Sequence, residues 1–244
     1  VVQLLNAAGV RYGYLGAEEP CCGDIARRGG SEANFRMMVE MNVEVFNELG
    51  VKKIITICPH GYNTFKHEYP ELGGEFEVLH HTQILADLLA AGKLSPAERV
   101  EQRIVYHDAC YLGRYNGLYD APRRVLDAVP GLERVEIDTS RERGLCCGAG
   151  GARYFMEEDP DQRVNKLRIG ELLANGPGSV ASACPFCMTM LSDGLKDLDK
   201  YDDVGQLDVA EILAISCGVG ERKLLRERSD DAAPAEDAEA RPEA

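Results

Sequence analysis

The chain has 244 residues, 45% of them hydrophobic, with 27 Lys and Arg against 41 Asp and Glu and a net charge of −14. That length allows one large or two small cores, and so acidic a chain lacks the basic stripe that nucleic-acid phosphates demand. No apolar run approaches the roughly 18–20 residues of a membrane span.

Taken in chain order, the sequence alternates α and β. Val1–Ala8 reads as a helix; because the chain opens inside it and does not start with Met, the sequence reads as the C-terminal part of a longer polypeptide. Ser31–Glu32 opens a second helix, whose apolar positions Phe35, Met38, Val39, Val43 and Phe46 follow a 3.6 period up to Gly50. Val51–Ile57 is a β-branched run typical of a buried strand, and it delivers Cys58. Past Pro59 a helix is expected from about Tyr62, then a strand at Phe76–Leu79 and a helix at Thr82–Ala91. After a polar link at Ser95–Glu101 the order recurs: strand Arg103–Tyr106, helix Ala121–Ala128 with Pro122 at a permitted position, strand Val135–Ile137, helix Asp161–Ala174 and strand Ser179–Ala183. A helix from Phe186 and another at Leu207–Ile215 complete the order. Such alternation implies parallel sheets, here two pseudo-symmetric Rossmann-like α/β lobes. From Ser229 to Ala244 six acids face one base, Arg241, amid Ala and Pro, a composition expected to stay disordered.

The chemistry lies in the cysteines. Cys110 is followed after thirty-five residues by Cys146-Cys147, and after thirty-six more by Cys184-Pro185-Phe186-Cys187. Upstream the array recurs in damaged form. Cys21-Cys22 precedes Cys58-Pro59-His60-Gly61 by thirty-five residues, with glycine in place of the last cysteine. The copies are offset by 125 residues for the pair and 126 for the later motif, the mark of an internal duplication. The same offset puts the partner of Cys110 before Val1, so the first repeat reads as truncated. The expected division is residues 1–94 for the first repeat, 95–102 for a linker, 103–220 for the second repeat and 221–244 for the charged tail.

Thiolates are the ligands of zinc and of iron–sulfur clusters. Buried structural thiols would not explain a recurring spacing, and zinc takes four ligands where the second repeat offers five: Cys110, Cys146, Cys147, Cys184 and Cys187. A cluster with several irons suits five better. Sites in open α/β sheets form at the C-terminal ends of strands, where these cysteines fall. Cys21, Cys22 and Cys58 make a partial second site. Gly148-Ala149-Gly150-Gly151 lacks the full dinucleotide fingerprint and instead suits close approach of backbone N–H groups to cluster sulfides. Arg153 reads equally as a charge beside the site and as a surface residue. His80, His81 and His107 follow strands and read best as structural, and Cys217 as core. Nine cysteines, an odd number with vicinal pairs, argue for a reducing compartment and therefore a cytoplasmic location.

These motifs, together with Tyr106-His107-Asp108-Ala109-Cys110-Tyr111-Leu112-Gly113-Arg114, Cys146 through Glu158, Cys184 through Gly194 and His80-His81-Thr82-Gln83, resemble the cysteine-rich (CCG) domain family. That family includes the cysteine-rich subunit of heterodisulfide reductase and iron–sulfur subunits of glycolate, lactate and glycerol-3-phosphate oxidation. The resemblance is greatest to membrane iron–sulfur reductases of the electron-transfer-flavoprotein:menaquinone oxidoreductase type. It implies a [4Fe–4S] cluster, noncubane as in heterodisulfide reductase, on the five second-repeat cysteines, and an incomplete first site because Gly61 replaces a cysteine. It further implies a flavoprotein electron donor, and upstream ferredoxin-like and membrane domains that would place the full-length protein at the cytoplasmic face of the plasma membrane. The function expected is relay of electrons from a flavoprotein toward quinone. Heterodisulfide or thiol–disulfide reduction, and a non-redox zinc-stabilised interaction module, are the rivals. No catalytic acid, base or nucleophile stands out.

Overall fold

The computed structural model describes residues 1–16, 19–159 and 162–222; the acidic tail from Ser229 lies outside them. Helices α1 (Val2–Ala7), α2 (Asp24–Arg28) and α3 (Glu32–Glu48) come first, followed by strand β1 (Lys53–Thr56). Helix α4 (Pro59–Asn63) runs on through a wide π turn, Thr64–Glu68, and a 3-10 turn, Tyr69–Leu72. Strand β2 (Glu77–His80) and helix α5 (His81–Ala90) complete the first half. The second half consists of β3 (Gln102–Tyr106), α6 (Asp120–Asp127), β4 (Leu132–Val135), α7 (Val164–Leu173), β5 (Ser179–Ser182), α8 (Pro185–Asp197), β6 (Gly205–Asp208) and α9 (Val209–Ser216).

All strand pairs are parallel. β1 and β2 form a two-stranded sheet with Lys53 opposite Glu77, and the second sheet runs β4-β3-β5-β6 with β5 central and buried at every residue. The two halves repeat one another locally. β1–β2 is the counterpart of β5–β6, and α5 and α9 start with the same capping box. His80 Nδ1 accepts from Thr82 N–H while Gln83 Oε1 accepts from His80 N–H; Asp208 Oδ1 accepts from Ala210 N–H while Glu211 Oε2 accepts from Asp208 N–H. Each box satisfies donors that a helix start leaves free. These shared features establish the expected parallel, duplicated α/β fold.

One core joins the halves. Leu85 and Leu88 of α5, Val125 and Leu126 of α6, and Ile212 and Leu213 of α9 belong to the cluster that also buries Ile104, Val105 and Val180. Each such aliphatic side chain contributes about 1.5–3 kcal/mol on full burial, so the layer couples the sheets. A smaller core of Phe35, Val39, Phe46 and Tyr69 packs α3 against the turn after α4. Gly194 lets α8 lie close to α7: a Cβ there would stand 2.9 Å from Ile169 Cγ1 and 3.0 Å from Asn165 O.

Some elements differ from the sequence expectation. The helix after Cys58 begins at Pro59 itself, because proline is well suited to a first helical position. The expected strand at Val135–Ile137 lies at Leu132–Val135, in register with β3 from Gln102. Strand β6 occupies the start of the segment read as helix Leu207–Ile215. Its four residues, with Leu207 the single large apolar one, carry too little alternation to be seen without the β5 edge they pair with.

Candidate metal centre

The C-terminal strand ends of both sheets meet. Cys58 follows β1, His80–His81 end β2 and begin α5, His107 follows β3, Cys184 follows β5, and Asp208 ends β6. Contacts close the ring between halves: Cys58 against Cys184, and His81 Nε2 against Asp208 Oδ1 at 3.1 Å.

The five second-repeat cysteines come together as an unbroken run of thiol contacts. Cys110 meets Cys146, Cys146 its neighbour Cys147, Cys147 meets Cys187, and Cys187 meets Cys184. Cys147, Cys184 and Cys187 are buried and Cys110 and Cys146 half-buried. Three separate loops supply them, after β3, before α7 and at the start of α8. Cys184 is the N-cap of α8 and Cys187 lies in its first turn, where free N–H groups and the helix dipole favour thiolate charge.

The run has two acceptors. Contacts from Cys110 and Cys147, with backbone N–H groups of Gly148 and Gly150, hold Cys146 well below the usual thiol range. Burial alone would raise Cys184, yet contacts from Cys187, Cys58 and His60 take it well below its ordinary value. Their partners move the other way: Cys110 by its contact with Cys146 and burial, and Cys187 by its contacts with Cys147 and Cys184. Gly148 makes this possible at φ +98°, a left-handed backbone that brings its N–H to 3.3 Å from Cys146 Sγ. Gly148 and Gly150 thus deliver donors to the Cys146 thiol. Arg153 instead turns outward, half exposed and paired with Glu158.

The first-repeat cysteines divide. Cys21 and Cys22 contact one another, and that contact lowers Cys21 to about 6. Cys58 turns to Cys184 and to His60, whose Nδ1 is 3.8 Å from Cys58 Sγ and 4.0 Å from Cys184 Sγ. Among the described residues neither Cys21, Cys22 and Cys58 nor any three of the second-repeat cysteines lie mutually within 4.8 Å; Cys147 and Cys187 do so with His107. Cys217 packs against the main core, and burial raises its pKa.

Several residues at the site carry no signal in spacing. His60 is buried, its ring 4.4 Å from Tyr111 and 4.9 Å from Phe186. Asp108 takes both arms of Arg123 (2.7 and 2.8 Å) and the N–H of Arg141 (2.8 Å), tying the Cys110 loop to the one that leads to Cys146. Arg168 is fully buried and donates to His107 Nδ1 at 3.1 Å. Burial, then Arg168, lowers His107 to about 4, so its imidazole is neutral. The histidines read as structural are each bound on one nitrogen only; His80 Nε2, His81 Nδ1 and His107 Nε2 are buried without a partner among the described residues.

A duplicated parallel α/β fold that carries its cysteines at the strand ends, on three loops and with backbone donors on sulfur, defines a class of cysteine-rich domains. The sequence pattern of one such family, the cysteine-rich (CCG) domain, matches residues 1–66 and 104–192. The chain belongs to that family.

Its curated relatives include oxidoreductases and their subunits. It is 49% identical over 220 residues to the EtfAB:quinone oxidoreductase of Syntrophomonas wolfei, covering 87% of this chain and 31% of the relative. To the probable iron–sulfur-binding oxidoreductase FadF of Bacillus subtilis it is 49% identical over 214 residues, 88% of this chain and 30% of the relative. To one subunit of the dihydromethanophenazine:CoB–CoM heterodisulfide reductase of Methanosarcina barkeri it is 38% identical over 223 residues, 89% of this chain and 54% of the relative. The chain therefore spans about a third to about half the length of these relatives. Among the described residues no helix is long and apolar enough to cross a membrane.

Proposed function

We propose that this chain is the iron–sulfur electron-transfer part of an oxidoreductase, with Cys110, Cys146, Cys147, Cys184 and Cys187 holding one [4Fe–4S]-type cluster. The observation that carries the reading is the unbroken run of five thiols. Its donor chemistry fits the group: soft sulfur ligands, one more than a tetrahedral zinc site uses. When bound, the cluster would supply one-electron chemistry. The protein's own part is to fix five sulfurs on three loops, to point the Gly148 and Gly150 N–H groups at Cys146, and to keep water from Cys147, Cys184 and Cys187. Electrons passing from a flavoprotein toward quinone is the finer reading, supported by the name of the Syntrophomonas relative, and it places the full-length protein beside a membrane.

The test is anaerobic reconstitution with iron and sulfide. The wild-type chain should take up iron and gain visible absorbance. Cys147→Ser and Cys187→Ser should lose most of both, and Cys217→Ser neither. Equal loss from Cys217→Ser, or a colourless chain that holds zinc, would refute the assignment.

A second reading, reduction of a disulfide substrate, is favoured by one feature. Cys58 and His60 stand beside Cys184, a free thiol and an imidazole next to the proposed ligand set. Cluster oxidation by added disulfides, lost in Cys58→Ala, would support it over simple relay.

A further inference from the structure

Arg168 is the largest fully buried side chain, and its position is over-determined. Nη1 donates to Thr139 O (3.0 Å), Thr139 Oγ1 (3.1 Å) and Glu171 Oε2 (2.8 Å), while Nε donates to His107 Nδ1 (3.1 Å). A guanidinium has no acceptor, so Nδ1 must offer its lone pair. The single proton of the ring is then on Nε2. That atom is buried and without a partner among the described residues. His107 also forms, with Cys147 and Cys187, a group whose ligand atoms all lie within 4.8 Å of one another, so the ring lies beside both thiols although Nε2 makes no hydrogen bond to either here.

A ring nitrogen this close to two cysteines reads at first as a metal ligand. Coordination through Nε2 would require its lone pair and move the proton to Nδ1. There it would confront the Arg168 N–H, two donors face to face between side chains that are both fully buried. From this we infer that His107 is an Nε2–H donor toward the sulfurs of Cys147 and Cys187 rather than a ligand, and that Arg168 is the positioning residue that sets its tautomer. The second half of this inference rests on the proposed cluster. A hydrogen bond to a ligand sulfur favours the more negative, reduced state of the centre it holds and raises its reduction potential. The buried guanidinium is thereby tied to the redox site through one imidazole.

Two measurements separate this inference from the cluster assignment. In the metal-free, reduced chain labelled with ¹⁵N-histidine, long-range ¹H–¹⁵N correlation reads the tautomer directly. The expected pattern for His107 is Nε2–H, and an Nδ1–H pattern overturns the inference whatever the chain binds. In the reconstituted chain the midpoint potential is then compared across His107 variants. His107→Met keeps the volume, removes the N–H and should lower the potential with iron content unchanged. His107→Gln, which returns an N–H near the Nε2 position, should recover most of that fall. Arg168→Met should lower the potential in the native background and leave it unchanged in the His107→Met background, because the two act as one unit. If Arg168→Met fails to fold, the His107 pair and the native tautomer decide the matter. A His107→Met chain with full iron and an unaltered potential would overturn the inference. Failure of the wild type to take up iron would defeat only the cluster assignment, since the tautomer is read without metal.

Discussion

Replacing Arg123 by Met tests how the protein holds its cysteine loops in place. Arg123 and Asp108 are each 4% exposed at the side chain and joined by two charge-assisted bonds of 2.7 and 2.8 Å. Methionine fills similar space but leaves the Asp108 carboxylate buried, with the Arg141 N–H as its remaining strong donor. Breaking one side of a buried pair costs about 3–5 kcal/mol. The second partner, Glu136, is 41% exposed at the side chain and can be hydrated, so its loss adds no more than about 1 kcal/mol. A total near 3–5 kcal/mol is a large share of the ~5–15 kcal/mol that stabilises a typical domain. Urea unfolding of the metal-free chain, followed by circular dichroism, should show the midpoint falling with little change in slope. The double variant Asp108→Asn/Arg123→Met should recover a substantial part, since no charge is left uncompensated. Because Asp108 ties the Cys110 loop to Arg141, iron should also leave Arg123→Met faster in the presence of a chelator. A loss below about 1 kcal/mol, the range of solvated pairs, would refute the reasoning.

Three further outcomes follow from the geometry. Cys21 is exposed and its thiol is lowered to about 6 by Cys22, so its alkylation rate in the metal-free chain should rise through pH 6 and level off by about pH 7. A rate still climbing between pH 8 and 9 would show an ordinary thiol. Gly61→Cys should fold at least as well as the native chain. Its new Cβ would meet nothing nearer than Thr56 Oγ1 at 3.4 Å, with Cys22 Sγ at 3.8 Å, and helical glycine is itself costly. Iron per chain should rise above the native value after reconstitution, and an unchanged value would mean that the missing thiol is not what limits the first repeat. Asp208→Ala should cost about 1–2 kcal/mol through loss of the α9 cap, measured by urea unfolding, and Asp208→Asn distinctly less; equal losses would place the effect in the hydrogen bond with His81.

The sequence is legible where one physical signal dominates. The β-branched run before Cys58 and the short run Ser179–Ala183 before Cys184 identify strands that end at cysteine-bearing loops, and the fixed spacing of cysteines identifies the duplication. Gly148, read as a place where backbone N–H groups approach cluster sulfides, brings its N–H to the Cys146 thiol. What escapes is set by pairing and burial across long separations. β6 exists because β5 offers an edge to Gly205–Asp208, and neither segment announces the other. Arg168 and Arg123 look like ordinary helix-surface residues until the fold buries them against His107 and Asp108, 61 and 15 residues away. Spacing groups Cys58 with Cys21 and Cys22, but spacing records ancestry along the chain. Its nearest sulfur partner is decided by how the halves dock.

That docking gives the incomplete first repeat a physical role. Cys58 and Cys184 are equivalent positions 126 residues apart, and they touch; His60 and Phe186 are equivalent by the same offset, and their rings meet at 4.9 Å. A residue in contact with its own counterpart lies near the axis that relates the two copies. The start of α4 therefore forms a wall of the second repeat's crevice, and Cys184 is fully buried with that wall in place. Gly61 is the counterpart of Cys187, one turn away from Cys58 on the Cys22 side. With glycine there the first repeat lacks the counterpart thiol while Cys58 and His60 keep their contact with Cys184. If the second repeat holds the proposed cluster, a duplicated fold can forgo one site and still use both copies to shield the other.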